Sequence, residues 1–218
     1  LVDADFSAIE ARVISWLAGE QWRLDVFKTH GKIYEASASQ MFGVPMELIK
    51  KGNPEYALRA KGKVAELALG YQGSTGALIN MGALNMGLTE AELPEIVDRW
   101  RNANSKIRDL WYEMDNAAVQ VIQYGGCQKV HCVTLAREHD YAHGKSALTI
   151  TLPSGRKLFY IEPGVGENRW GNPSITYMGM DQTSKKWKRI ETYGGKLTEN
   201  CVQAIARDAL ADAIERLE

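Results

Sequence analysis

The sequence predicts an α+β fold, mainly helical, and three observations carry that prediction. From Ile9 to about Gln123, apolar residues recur at the three- and four-residue spacing of amphipathic helices. From Cys127 to Ile190 they fall instead into short apolar or alternating runs divided by turns, the pattern of antiparallel hairpins. A final helical pattern begins near Gly194, and Gly125-Gly126 marks the change from the first block to the second. The predicted organisation is therefore residues 1–44 and 45–125, both largely helical, a hairpin block over 126–193, and a closing helix over 194–218.

Composition narrows the classes. At 218 residues the chain can bury a proper core as one large domain or two small ones. Its formal net charge of -1 carries no global signature of a polyanion partner, so any nucleic-acid site must be local. Three cysteines, an odd number, point to a reducing compartment rather than a disulfide framework. No apolar run approaches the ~20 residues of a membrane span, no secretory signal is visible, and no membrane partner is expected. The chain opens without methionine, already reading as a strand, and closes inside a helical pattern without a terminal glycine. It reads as a piece of a longer protein.

In order, residues 1–6 read as a short strand that places Asp3 and Asp5 on one face. Ser7-Ala-Ile-Glu10 matches a capping box, followed by Ile9, Val13, Trp16 and Leu17 at helical spacing. A carboxylate at the junction of strand and helix can ligate a metal, or it can simply favour the helix N-terminus. Glu10 has the capping role as its plain alternative. Short helices are predicted at 21–27, 32–42 and 46–51, with Gly43-Val-Pro45 breaking the pattern. Asn53-Pro54 starts a helix that should run to about Gly70. A turn over 71–76, a short helix over 77–86 and a capping box at Thr89-Glu-Ala-Glu92 follow. The latter opens a long helical region, interrupted near 102–104, in which Trp100, Ile107, Trp111, Met114 and Ala118 form a buried stripe. The strand runs are 129–135, 147–152, 157–161, 174–178 and 186–190, with a turn at Pro153-Ser-Gly155. Cys127, Cys132, His139 and His143 raise zinc, but six residues between Cys132 and His139 are too few for a standard finger. Scattered polar loop residues explain them as well.

The helix over 54–70 holds the most distinctive chemistry. Arg59, Lys63, Leu67 and Tyr71 are each four residues apart, so each step turns only about 40° beyond a full turn and the side chains form one winding stripe. Two cations, an apolar residue and an aromatic ring in that order suit a nucleoside triphosphate, with guanidinium and ammonium for the phosphates. Lys50, Lys51, Arg59, Lys61 and Lys63, against Glu55 alone, make this a strongly basic stretch of the chain. An ordinary solvated helix face gives the same pattern, and spacing alone leaves both readings open.

Taken together, Asp5-Phe-Ser-Ala-Ile-Glu10-Ala-Arg12 and Arg59-x3-Lys63-x7-Tyr71 resemble motifs A and B of the A-family, polymerase I-like DNA polymerases. The 32–45 stretch between them, and Glu199-Asn-Cys-Val-Gln203-Ala-Ile-Ala-Arg-Asp208, resemble family segments in the same order. Lys63-Val-Ala-Glu-Leu-Ala-Leu-Gly-Tyr-Gln-Gly is most similar to the bacteriophage and prophage branch. The resemblance implies palm (1–44), fingers-like (45–125) and palm-returning (194–218) portions, and a place in the cytoplasm of a bacterial host. It leaves the hairpin block only loosely constrained.

Residue roles follow from the resemblance. Asp5 would bind two catalytic Mg²⁺ ions, with the Phe6 backbone carbonyl as a further ligand. Arg59 and Lys63 would hold the triphosphate, and Lys63 would also protonate the leaving pyrophosphate. Glu10 and Tyr71 would exclude a ribose 2′-hydroxyl, Leu67 would face the sugar, and Tyr71 would fill the template stacking position until the fingers helix closes. Arg12 would support the site and Gln203 would touch the duplex. The partners implied are primer-template DNA and deoxynucleoside triphosphates.

Three departures qualify this. Leu67 stands where the family usually has Phe or Tyr, and Gln72 where many members have Gly. The His-Asp hairpin of motif C, with the second catalytic carboxylate, is missing. His139-Asp140 precedes the last helix in a stretch too polar for that buried hairpin. The expectation is a polymerase fragment that extends primers poorly alone. Its rivals are a non-catalytic nucleic-acid-binding module derived from a polymerase, a Mg²⁺-dependent nuclease using Asp3 and Asp5, and an A-family RNA polymerase, against which Glu10 argues. A P-loop ATPase is disfavoured because no GxxxxGK[ST] occurs.

Overall fold

The structure, a computed structural model, describes residues 6–140, 144–167, 171 and 173–217. The predicted strand over 1–6 therefore falls almost wholly outside the described residues, and Asp3 and Asp5 with it. The fold is α+β and divides into two compact units, Leu1–Asp109 and Leu110–Glu218.

The first unit is helical. Helix α1 (Ile9–Ala18) begins one residue later than the Ser7 capping box predicts: Ala8 takes the N-cap position in left-handed backbone (φ 51), and no side chain caps the helix. The α1 face that turns inward carries Val13, Ile14 and Leu17, which leaves Trp16 half exposed rather than on the buried stripe. Gly19 ends α1 in left-handed backbone (φ 69), its N–H donating to the Trp16 carbonyl. Helices α2 (Gln21–Thr29) and α3 (Ile33–Phe42) follow, and Gly43 terminates α3 the same way. The helix predicted over 46–51 is only a 3-10 turn, Met46–Leu48. Asn53-Pro54 does start a helix: a 3-10 turn (Pro54–Ala57) runs directly into α4 (Leu58–Leu69).

The helix predicted over 77–86 is split into α5 (Thr75–Asn80) and a 3-10 turn (Leu84–Met86), because Gly82 between them sits at φ 84. Helix α6 (Leu93–Ala103) buries Leu93, Ile96, Val97 and Trp100 on one stripe. Ahead of it, the Glu92 carboxylate accepts the Thr89 N–H at 2.7 Å, the backbone half of the predicted capping box. Helix α7 (Ser105–Tyr124) begins in this unit, and the predicted stripe of Trp100, Ile107, Trp111, Met114 and Ala118 is buried throughout.

The second unit holds the rest of α7, a six-stranded sheet and α8 (Gly194–Glu215). Strands β1 (Cys127–Val130), β2 (Val133–Asp140), β3 (Lys145–Thr151), β4 (Lys157–Glu167), β5 (Pro173–Met180) and β6 (Trp187–Thr192) form an antiparallel meander in sequence order. The single run predicted over 129–135 is two strands. Val130 pairs with Val133 across a two-residue turn at His131-Cys132, with His131 in left-handed backbone (φ 51). The apolar run of Val130, Cys132, Val133 and Leu135 disguised that turn, which carries neither glycine nor proline. Pro153-Ser-Gly155 joins β3 to β4 as predicted, with Gly155 at φ 82. His139 and Asp140 stand on the exposed end of β2, opposite Ser146 and Lys145.

The core of this unit gathers Leu135, Leu148 and Ile150 of the sheet with Leu197, Cys201 and Val202 of α8. Burial pushes the Cys201 thiol up to about 12, so it behaves as a small apolar side chain. The start of α8 lies hard against α7: a Cβ on Gly194 would come within 1.8 Å of the Trp111 carbonyl oxygen, and the Gly194 N–H donates to Asp115 Oδ1 at 2.9 Å.

Burial raises the Asp115 carboxyl above its ordinary range, with the Gly194 N–H opposing. A carboxyl raised in the folded state binds its proton more tightly folded than unfolded. Its contribution is therefore most favourable below its unfolded pKa and declines as pH rises through the folded value. Asp115→Asn keeps an acceptor for Gly194 and removes that decline. In urea melts at a series of pH values, the variant should be as stable as the parent or more so near pH ~7, with its advantage gone near pH ~3.

Candidate nucleotide-binding recess beside helix α4

Helix α4 has two different faces. Gly62, Ala65, Glu66 and Leu69 are buried, whereas Lys63 and Leu67 are exposed and Arg59 is partly so. The predicted stripe is therefore the open face of the helix. Gly62 permits this placement, since a Cβ there would meet the Tyr34 carbonyl oxygen of α3 at 2.2 Å. Only a glycine lets α3 and α4 approach so closely.

A recess of about 270 Å³ opens where α1 faces the C-terminal end of α4. Phe6 and Glu10 line one side, Leu67, Gly70 and Tyr71 another, and Tyr34 and Trp100 reach in from α3 and α6. The Tyr71 hydroxyl donates to Glu10 Oε2 at 3.4 Å, a long hydrogen bond that joins the two sequence motifs in space. Four residues singled out from sequence thus converge here: Phe6, Glu10, Leu67 and Tyr71. Lys63 lies one helical turn before Leu67 and Arg59 one turn before that, along the same open face and outside the recess itself.

Arg59 is already engaged. Its Nε donates to Glu35 Oε1 at 3.0 Å and its guanidinium lies over the Tyr34 ring, 5.4 Å from the centroid. Arg12 donates from Nε to the Ser7 carbonyl at 2.9 Å and stacks over Phe27, so it braces the entry to α1 rather than lining the recess. Gln203 is exposed on α8, in the second unit. Asp5 lies outside the described residues.

Tyr34 was missed from sequence, although it sits in the 32–45 stretch. Its phenol is held above the ordinary range first by burial and then by the carboxylates of Glu66, Glu10 and Glu35, with Arg59 opposing. It stays protonated at neutral pH.

Behind the recess is a buried polar network that sequence reading also missed. Arg23 and Glu66 form a bidentate pair, both almost fully buried. Arg23 also donates to Ser15 Oγ at 2.7 Å and Asn104 Oδ1 at 2.9 Å. Glu66 accepts from Ser37 Oγ at 2.6 Å and Trp100 Nε1 at 3.0 Å. These bonds tie α1, α2, α3, α4 and α6 to one carboxylate, and they fix the wall from which Leu67 and Tyr71 project.

Gln72, directly after Tyr71, adopts left-handed backbone (φ 68), and the next residue, Gly73, would place a Cβ only 1.8 Å from the Ala68 carbonyl oxygen. This explains why glycine suits position 72. Gln72→Gly removes a left-handed strain of order 1 kcal/mol while loosening the unfolded chain by a similar amount. The expected change in urea midpoint is close to zero, which a pair of equilibrium melts would check.

Among the described residues there is no group of three or more His, Cys, Asp or Glu side chains able to hold a metal ion. None of the described helices is long and apolar enough to cross a membrane.

No protein-family model matches the chain. Over 216 residues it is 56% identical to a protein described as a DNA polymerase from Bacillus phage SP02. That match takes in 99% of this chain and 32% of the relative, so the chain spans about a third of the relative's length.

Proposed function

We propose that this chain is the nucleotide-binding portion of a phage-type, A-family DNA polymerase. The observation that carries the reading is the recess in which Glu10 and Tyr71, from two separate motifs, meet at the end of a helix whose open face presents Lys63 and Arg59. The likeness to a phage protein named as a DNA polymerase supports it. In this reading residues 1–44 and 194–218 are palm, residues 45–125 are fingers, and primer-template DNA and deoxynucleoside triphosphates are the partners.

Each residue then has a task. The Lys63 ammonium binds the triphosphate and protonates the departing pyrophosphate. Arg59 reaches the phosphates by sharing or exchanging its bond to Glu35. The Glu10 carboxylate, backed by the Tyr71 hydroxyl, fills the space that a ribose 2′-hydroxyl would need. Leu67 offers the sugar an apolar edge without an aromatic face.

Oxygen donors suit Mg²⁺, and a backbone carbonyl such as that of Phe6, a residue lining the recess and adjoining Asp5 in sequence, is a donor of that kind. Two Mg²⁺ ions, if held by the Asp5 carboxylate and the Phe6 carbonyl, would supply activation of the primer hydroxyl and stabilisation of the leaving pyrophosphate. The sequence holds one of the two carboxylates that such a centre uses, so the 218-residue chain should extend primers poorly. Robust extension abolished by Asp5→Ala would contradict that expectation.

The sharper test is sugar discrimination. Titrations with dATP and ATP should show tighter binding of the deoxynucleotide, by up to about a hundredfold, and Glu10→Ala should erase most of the difference. Equal affinities in the parent chain would count against the reading.

A further inference from the structure

We infer that the tip of the β5–β6 hairpin is a second nucleic-acid contact, which takes a single DNA strand by its phosphates and stacks a base on Trp187. The inference rests on the polymerase reading only for the choice of DNA as the polyanion; the surface itself lies in the second unit and includes no residue of the recess.

Lys185, Lys186, Lys188 and Arg189 surround Trp187 in a run of five residues, and all five are exposed. In a chain of net charge -1 this is a local concentration of positive charge. Trp187 is 58% exposed and pairs in register with Met180, which is 50% exposed, so the two share one face of the ribbon and form an apolar platform.

The tip is preorganised. Asp181 Oδ1 accepts the Ser184 N–H at 2.6 Å and its hydroxyl at 2.7 Å, and the Lys185 N–H donates to the Asp181 carbonyl at 2.9 Å. Lys188 pairs with Asp181 at 3.2 Å, and Arg189 donates to the Glu162 carbonyl and Thr176 Oγ1. Lys188 and Arg189 therefore brace the hairpin, and Lys185 and Lys186 provide the charge for phosphates.

Strand β6 is an edge of the sheet. Lysines alone are a common protection for such an edge, but an exposed tryptophan opposite an exposed methionine has the contrary effect and invites association. Cations flanking an aromatic platform instead match how single strands are held, with phosphates on the cations and a base on the ring.

The test uses anisotropy of a labelled oligodeoxythymidine of about twenty nucleotides, titrated with the chain across a salt series. Trp187→Ala should weaken binding about tenfold. The Lys185→Gln, Lys186→Gln pair should flatten the logarithmic salt slope by about 1.4, the loss expected for two phosphate contacts to a single strand. Parental affinity and slope in both variants would overturn the inference, as would binding to phosphatidylglycerol vesicles with none to the oligonucleotide. A separate dATP titration keeps the two proposals distinguishable. Failure there, with tip-dependent oligonucleotide binding intact, would remove the polymerase reading and leave the contact standing.

Discussion

Glu66→Leu should destabilise the first unit by about 3–5 kcal/mol, the cost of leaving one member of a buried ion pair uncompensated. The guanidinium of Arg23 would remain 1% exposed with no anion beside it, and Ser37 and Trp100 would lose their acceptor. A double replacement, Arg23→Met with Glu66→Leu, should recover most of the loss, because a buried pair exchanged for apolar side chains of similar volume is often neutral or better. Urea melts of the two variants and the parent would check both halves. A single variant within about 1 kcal/mol of the parent would mean that the network is not the structural centre of this unit.

The second large effect is expected at Gly62. Alanine there gains up to about 1 kcal/mol of helix propensity. Its Cβ, however, would lie 2.2 Å from the Tyr34 carbonyl oxygen and 3.1 Å from the Ala38 Cβ. Backbone cannot yield as the end of a side chain does, so α3 and α4 must separate, at a typical overpacking cost of about 1–3 kcal/mol. The strain should win and the urea midpoint should fall. Because Tyr34 and Leu67 are carried on the two helices being parted, dATP affinity should fall with it. An unchanged or raised midpoint would show that the close approach of α3 to α4 is not needed.

Much of this was legible in the sequence for identifiable reasons. Asn53-Pro54 started the motif-bearing helix, and spacing alone placed Lys63 and Leu67 on one stripe, which the structure shows to be its open face. The hairpin block was recognisable from alternation and from Pro153-Ser-Gly155. What escaped has a common cause: local pattern does not report tertiary partners. Glu66 in a basic, helical stretch reads as a solvent-facing charge until Arg23, 43 residues away, is placed against it. A signal was present, since Gly62, Glu66 and Leu69 share a helical face on which a lone carboxylate needs a partner. The turn at His131-Cys132 gave no such sign, having no residue that favours left-handed backbone strongly. Trp16 misled in the opposite direction, as a large apolar residue at helical spacing that the helix turns outward.

The measurement that most directly tests the proposed nucleotide site is photocrosslinking with an azido derivative of deoxyadenosine triphosphate, followed by peptide mapping. The label should fall on the segment that carries Leu67 and Tyr71, should be competed by unlabelled dATP, and should be strongly reduced in Lys63→Ala. That variant loses a charge-assisted bond to phosphate, with roughly tenfold to a hundredfold weaker binding expected. Label confined to residues of the second unit, or label on the first unit that dATP does not displace, would contradict a nucleotide site beside α4.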